Sequence, residues 1–207
     1  MKVIVARHGQ TDYNVQKRLC GNSDNARLTE LGKKHARKLC DILKDEAIGA
    51  IYCSDLTRAV TTAEFLSKEY GMPLTRDSRI REMDFGIFEG TTDEERKISP
   101  YWHWRERDKF NYKIPEGESY RGVLERVEPF VNEVLSSSHG AVAMVGHGIV
   151  NRAIIAHLLD LKPEEFLQIG QPNSIVYFVD TELKRCSWRD SLNGSSGDGF
   201  VEAQRRI

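Results

Sequence analysis

Val3-Ile4-Val5-Ala6-Arg7-His8-Gly9-Gln10-Thr11, near the start of the 207-residue chain, passes from a β-branched apolar run straight into a cation, an imidazole and a glycine. The run reads as a buried strand. Its tip sets Arg7 beside His8, and Gly9 lets the backbone approach a ligand closely. Two readings follow. One is a phosphate pocket with His8 as nucleophile; the other is an N-terminal strand entering an ordinary polar loop. Nine residues do not separate them.

The same pattern recurs along the chain. Ala141-Val142-Ala143-Met144-Val145 is a second apolar run, ending in Gly146-His147-Gly148. Ile48 to Cys53 is a third, closed by Ser54-Asp55, with Asp55 the expected N-cap of a helix reaching about Tyr70. Arg58 falls in that helix's first turn, where its side chain and the helix N-terminus can both address an anion. Strands alternating with helices predict an α/β fold, a three-layer sandwich with a mostly parallel central sheet and helices on both faces. Ligands gather at the carboxyl ends of such strands. Arg7-His8-Gly9, His147-Gly148 and Arg58 would then converge on one edge of the sheet, which favours the phosphate pocket.

Other segments carry weaker signals. Thr29 caps a helix whose Leu31, His35, Leu39, Ile42 and Leu43 fall near helical spacing, with His35 a packing or surface residue. Ile80 to Gly90 alternates carboxylates with apolar residues and glycines. Apolar neighbours raise a carboxyl pKa, which suits a general acid; Glu82, Asp84 and Glu89 all qualify, and spacing does not choose among them. Between Thr91 and Glu116, tryptophans either lie on the core or cap a cleft. Arg105, Arg107 and Lys109 there either meet an acidic substrate or form a solvated face. Ser119 caps a helix through about Leu135, His157 is a structural residue on the helix after His147, and strands are expected over Asn173–Val179 and, at an edge, Lys184–Arg189. From Asp190 the glycines and serines predict a flexible tail, so the expected organisation is one domain over residues 1–189 and a polar tail over 190–207.

Composition narrows the function classes. The chain is 40% hydrophobic and 29% charged, with Lys+Arg 30 against Asp+Glu 31. That balance offers no basic field for nucleic acid and no polybasic block for a membrane surface. No run approaches the ~20 apolar residues of a membrane span, and no secretory leader is read at the N-terminus. Cys20, Cys40, Cys53 and Cys186 have neither metal-ligand spacing nor disulfide-scaffold density, so a cytoplasmic protein with reduced thiols and no metal site is expected.

Taken in order, Arg7-His8-Gly9-Gln10-Thr11 through Asn14, Leu28-Thr29-Glu30-Leu31-Gly32, Ser54-Asp55-Leu56-Thr57-Arg58-Ala59, Arg81-Glu82-Met83-Asp84-Phe85-Gly86 with Glu89-Gly90, Gly117-Glu118-Ser119 and Gly146-His147-Gly148 resemble the histidine phosphatase superfamily, which includes the cofactor-dependent phosphoglycerate mutases. The resemblance covers roughly residues 2–180. It implies a phosphoglycerate mutase-like fold and His8 as a transiently phosphorylated nucleophile. It assigns Arg7, Arg58 and His147 to the phosphoryl group, Glu82 to proton donation, and Gly9, Gln10, Asn14, Gly21 and Gly148 to substrate binding. No cofactor is implied, and the partner is a small phosphorylated metabolite; a homo-oligomer is left open. Three departures from the mutases favour hydrolysis over transfer back to substrate. Cys20-Gly21-Asn22 stands where mutases have Ser/Thr-Gly-Trp, Gln10 stands in place of Glu, and the segment between Gly90 and Gly117 is short. A non-catalytic binding module is disfavoured because His8, Arg7, Arg58, Glu82 and His147 are all present.

Overall fold

The computed structural model describes residues 1–203. Its strands are β1 (Lys2–Arg7), β2 (Ala50–Cys53), β3 (Leu74–Arg76), β4 (Ala141–Gly146), β5 (Ile175–Asp180), β6 (Arg185–Asp190) and β7 (Ser196–Asp198). Its α-helices are α1 (Asp12–Val15), α2 (Glu30–Leu43), α3 (Thr57–Tyr70), α4 (Asp93–Lys97), α5 (Pro100–Arg107), α6 (Tyr120–Leu135), α7 (Gly148–Leu159) and α8 (Pro163–Gln168). The strands form one sheet in the order β3-β2-β4-β1-β5-β6-β7. β3, β2, β4 and β1 run parallel, and β5, β6 and β7 extend the sheet antiparallel.

β1 explains the layering. Successive side chains of a strand point to opposite faces. Val3 and Val5 join Val127, Val131 and Ile154 of α6 and α7 in one core. Ile4 and Ala6 join Leu39, Leu43, Ala63 and Leu66 of α2 and α3 in the other. A strand covered on both faces reads as one continuous apolar run. This is the expected three-layer α/β arrangement with a parallel centre.

Several local expectations are corrected. Leu31 is exposed, and the inner face of α2 is Gly32, His35, Ala36, Leu39, Cys40 and Leu43. Gly32 must face inward because the Gly9–Gln10 backbone runs against it, where a Cβ would collide. Asp55 does not cap α3: Leu56 is the N-cap residue and makes no side-chain cap. The Asp55 carboxylate is drawn to Arg81, at 2.6 and 2.7 Å.

The C-terminal stretch is also more tightly packed than its composition predicts. β7 pairs with β6, so β6 is not an edge. Gly197 lies against the Trp188 indole, where a Cβ would stand 3.0 Å from the ring. A glycine there lets the aromatic ring cover the strand. Further on, Gly170 N donates to Val201 O at 2.6 Å, and Phe200 meets Tyr177 edge-on at 6.1 Å. Residues 204–207 of the expected tail lie outside the described residues.

Candidate active site

Strand register brings the two histidine motifs together. Arg7 of β1 lies opposite Gly146 of β4, so the next residue on each strand is a histidine. His8 N donates to Gly146 O at 3.0 Å, extending the ladder by one step. The two imidazoles stand 5.1 Å apart, tilted by 57°, and both are buried.

His8 Nδ1 lies 2.8 Å from the Gly9 carbonyl oxygen. A carbonyl only accepts, so Nδ1 carries the hydrogen and Nε2 keeps its lone pair. Burial, then the Arg7 and Arg58 guanidiniums, hold the His8 pKa well below the ordinary histidine value. Burial, then Arg58, His8 and Arg7, do the same to His147. Both rings are therefore neutral imidazoles near neutral pH. Neither ring nitrogen of His147 bonds to a described residue.

Arg58 is 1% exposed. It donates Nη1 to Ser23 O at 2.7 Å and Nη2 to Gly21 O at 2.6 Å. Gly21 has φ +57° and faces the Glu89 carboxylate, so only glycine fits there without strain. Glu89 accepts from Asn22 N at 2.6 Å and Phe85 N at 3.2 Å, and burial raises its pKa. Gly21, expected to bind substrate, thus holds Arg58 through its carbonyl. Arg7 donates Nη1 to Gln171 O at 2.9 Å.

Glu82 sits at the N-terminus of α7. It accepts from Met83 N at 2.9 Å, Ile149 N at 3.1 Å and Val150 N at 3.2 Å. Gly148 lies between it and Arg7: a Cβ there would stand 3.4 Å from Glu82 Oε2 and 3.7 Å from Arg7 Cζ. Asp84, by contrast, accepts from Gly86 N at 2.8 Å. All three carboxylates that spacing left open accept from backbone amides, and of them Glu82 shares the surroundings of Gly148 with Arg7.

Carboxylates of the chain itself meet the first amides of α3 and α7. The Asp24 carboxylate accepts from Thr57 N at 2.7 Å and from Thr57 Oγ1 at 2.5 Å, so the start of α3 already holds an anion. Glu82 occupies the Ile149 and Val150 amides of α7.

Other expected substrate contacts shape the loop itself. Gly9 N donates to Thr62 Oγ1 at 3.0 Å. Asn14 Oδ1 accepts from Thr11 N at 3.0 Å within the α1 capping box, and Gln10 Oε1 accepts from Thr29 Oγ1 at 2.9 Å. Arg105 points inward, 5% exposed. It lies 4.7 Å from the Trp102 ring and donates to Tyr120 Oη at 2.6 Å, so it does not belong to a solvated face. Trp102 packs edge-on against Phe88 at 5.2 Å, on the core, whereas Trp104 of the same helix is exposed, so the core reading holds for one tryptophan and not for the other.

Sequence reasoning missed the supports behind His8. Asn173 Nδ2 donates to His8 O at 2.7 Å, and Asn151 Nδ2 donates to Ala6 O at 2.9 Å. Asn151 was detectable as a polar residue amid Ile149, Val150, Ala153 and Ile154. Asn173 and Gln171 come from a turn over 160 residues away, with no local signal.

The family model of the histidine phosphatase superfamily (branch 1) matches residues 3–193. The chain belongs to that superfamily. The expected enzyme class, a histidine-type phosphatase, stands with it. Among curated relatives, the 6-phosphofructo-2-kinase/fructose-2,6-bisphosphatases of Caenorhabditis elegans and Arabidopsis thaliana are each 33% identical over 82% of this chain. The matches cover 36% and 23% of those relatives' lengths, so this histidine phosphatase spans about a third of them or less. Among solved structures, Mycobacterial hydrolase 1 is 28% identical with a TM-score of 0.79, covering 98% of both chains. A mycobacterial glucosyl-3-phosphoglycerate phosphatase in complex with VO3 is 27% identical with a TM-score of 0.78, covering 98% of this chain and 99% of its own. No helix among the described residues is long and apolar enough to cross a membrane.

Proposed function

We propose that this histidine phosphatase is a cytoplasmic, metal-independent phosphomonoesterase that hydrolyses a small phosphorylated metabolite of the phosphosugar kind through a phosphohistidine at His8. The observation that carries the reading is the neutral His8, its Nδ1 hydrogen fixed on the Gly9 carbonyl. That leaves Nε2 as a nucleophile needing no separate base. Nε2 attacks phosphorus, and the bond to the ester oxygen breaks. The transferring group spreads charge over three equatorial oxygens, and the Arg7 and Arg58 guanidiniums answer that charge. His147 contributes hydrogen bonding from a ring that bonds to no described residue. Glu82 gives its proton to the departing alkoxide. It then takes a proton from the water that attacks the phosphohistidine, releasing inorganic phosphate and restoring His8. The likeness to part of the 6-phosphofructo-2-kinase/fructose-2,6-bisphosphatases and to a glucosyl-3-phosphoglycerate phosphatase supports phosphosugars as the substrate class.

The test is single-turnover labelling in chelator with a panel including fructose 2,6-bisphosphate, glucosyl-3-phosphoglycerate and 3-phosphoglycerate, comparing wild type with His8→Ala. The expected result is label on wild-type protein that discharges to water, and none on the variant. Label that persists until phosphoglycerate is added identifies a mutase instead, and no label from any ester overturns the catalytic reading.

A further inference from the structure

Behind the turn that carries His8, on the α2–α3 side of the sheet, lies a cavity of about 10 Å³. Its walls include Leu39 and Val176 and the polar residues His35, Thr62, Asn173 and Ser191. That volume admits about one water molecule, and a buried water needs two to four polar partners. His35 is 6% exposed, and neither of its ring nitrogens bonds to a described residue. A neutral imidazole has one donor and one acceptor to satisfy. Burial holds the His35 pKa below the ordinary histidine value, although Asp190 opposes that shift.

The groups across the cavity are those that hold the His8 turn. Thr62 Oγ1 takes the Gly9 amide at 3.0 Å and donates to Arg58 O at 2.8 Å. Asn173 donates to His8 O at 2.7 Å. Ser191 N donates to Ser174 O at 2.8 Å, which fixes the segment next to Asn173. A histidine serving only to fill space between α2 and the sheet would not need polar walls.

We propose that His35 is a positioning residue for His8, holding one buried water that ties its imidazole to Thr62, Asn173 and Ser191. The water braces the Arg7–Gly9 turn, and the turn sets the contact between His8 Nδ1 and the Gly9 carbonyl that aims Nε2. The consequence for rate rests on His8 being the nucleophile; the water does not.

Three measurements test it. A crystal structure resolving ordered solvent is expected to show a water within hydrogen-bond distance of the His35 ring and of at least one of the three polar walls; a dry cavity overturns the proposal. In single-turnover labelling, His35→Leu is expected to slow His8 phosphorylation about tenfold, since small misplacements of reacting groups cost one to two orders of magnitude. His35→Gln, which can still bond the water, is expected to stay within about twofold of wild type. Equal slowing by both variants, or none by Leu, overturns the positioning role. The His8 Nδ1 proton, followed by NMR, should exchange faster in the Leu variant than in wild type, and an unchanged signal also overturns it. If wild type takes no label, the catalytic reading fails, while the solvent and NMR results still decide whether His35 braces the turn. Should the Leu variant not fold, the Gln variant and the solvent structure decide.

Discussion

The N-termini of α3 and α7 are built alike and used differently. Each helix follows the carboxyl end of a parallel strand, and such a helix start is by default an anion site. Neither N-cap residue caps with its own side chain: Leu56 at α3 and His147 at α7 leave the first amides open. In both cases a carboxylate from a distant loop fills the position. At α3 it is Asp24, which holds Thr57 and turns the first turn, with Arg58, toward the Gly21 and Ser23 carbonyls. At α7 it is Glu82, which holds Ile149 and Val150 and shares the surroundings of Gly148 with Arg7. Both carboxylates serve architecture, and the proposed mechanism gives Glu82 a second task. What separates them is place: Glu82 shares the surroundings of Gly148, next to His147, with Arg7, while Asp24 holds the start of α3 by Thr57.

Substitutions can break or sharpen this contrast. Glu82→Gln keeps an oxygen for the α7 amides but loses the carboxylic proton. Turnover of an alkyl phosphomonoester should fall about 10²–10⁴-fold, with a smaller loss for p-nitrophenyl phosphate, whose leaving group needs little protonation. Equal losses on both esters would reduce Glu82 to a cap. Arg58→Lys removes the fork that reaches two carbonyls at once, and kcat/KM should drop about 10²-fold. Asp24→Ala should cost about 1 kcal/mol of stability in urea unfolding while turnover changes only a few-fold. A turnover loss rivalling that of Glu82→Gln would erase the distinction between the two helix starts.

The smallest effect expected near neutrality is a pH dependence of stability. His8 and His147 are both held below the ordinary histidine value of 6.5 in the folded protein. The unfolded chain therefore binds more protons as pH falls past about 6.5. Their contribution to stability is complete above that pH and is lost as pH drops toward the lowered folded values. The urea midpoint should decline on acidification below neutrality, and less steeply in His147→Asn. A midpoint flat through this range would contradict two neutral buried rings.

The site was legible wherever chemistry sat at the end of a continuous apolar run. Arg7-His8-Gly9 and Gly146-His147-Gly148 announce themselves because the strands before them are buried on both faces, and the exit of such a strand is marked by an abrupt change of residue type. Thr29 and Ser119 were equally legible as caps, since each takes an amide three residues on: Gly32 N at 3.0 Å and Gly122 N at 3.1 Å. Asp55 was misread for the same reason. Its position suits a cap, but Arg81 offers two donors and outcompetes a single amide, leaving the cap to Asp24. Arg105 stayed open between a substrate contact and a solvated face because helical spacing says nothing about the Trp102 and Tyr120 rings that lie beside it. The Ser/Gly-rich stretch after Asp190 looked loose because composition measures apolar content, whereas β7 is held by backbone pairing and by one indole over Gly197.

By itself the sequence determined the strand-and-helix alternation, the buried face of most elements, and the two histidines and two arginines that converge, since hydrophobic periodicity and chain punctuation are local properties. Only the tertiary structure decided which carboxylate holds the start of α7, which residues hold Arg58, and what lies behind His8. Those choices are made between segments tens to more than 160 residues apart, where donors and acceptors compete for partners in a shared buried space, and no local pattern records the outcome.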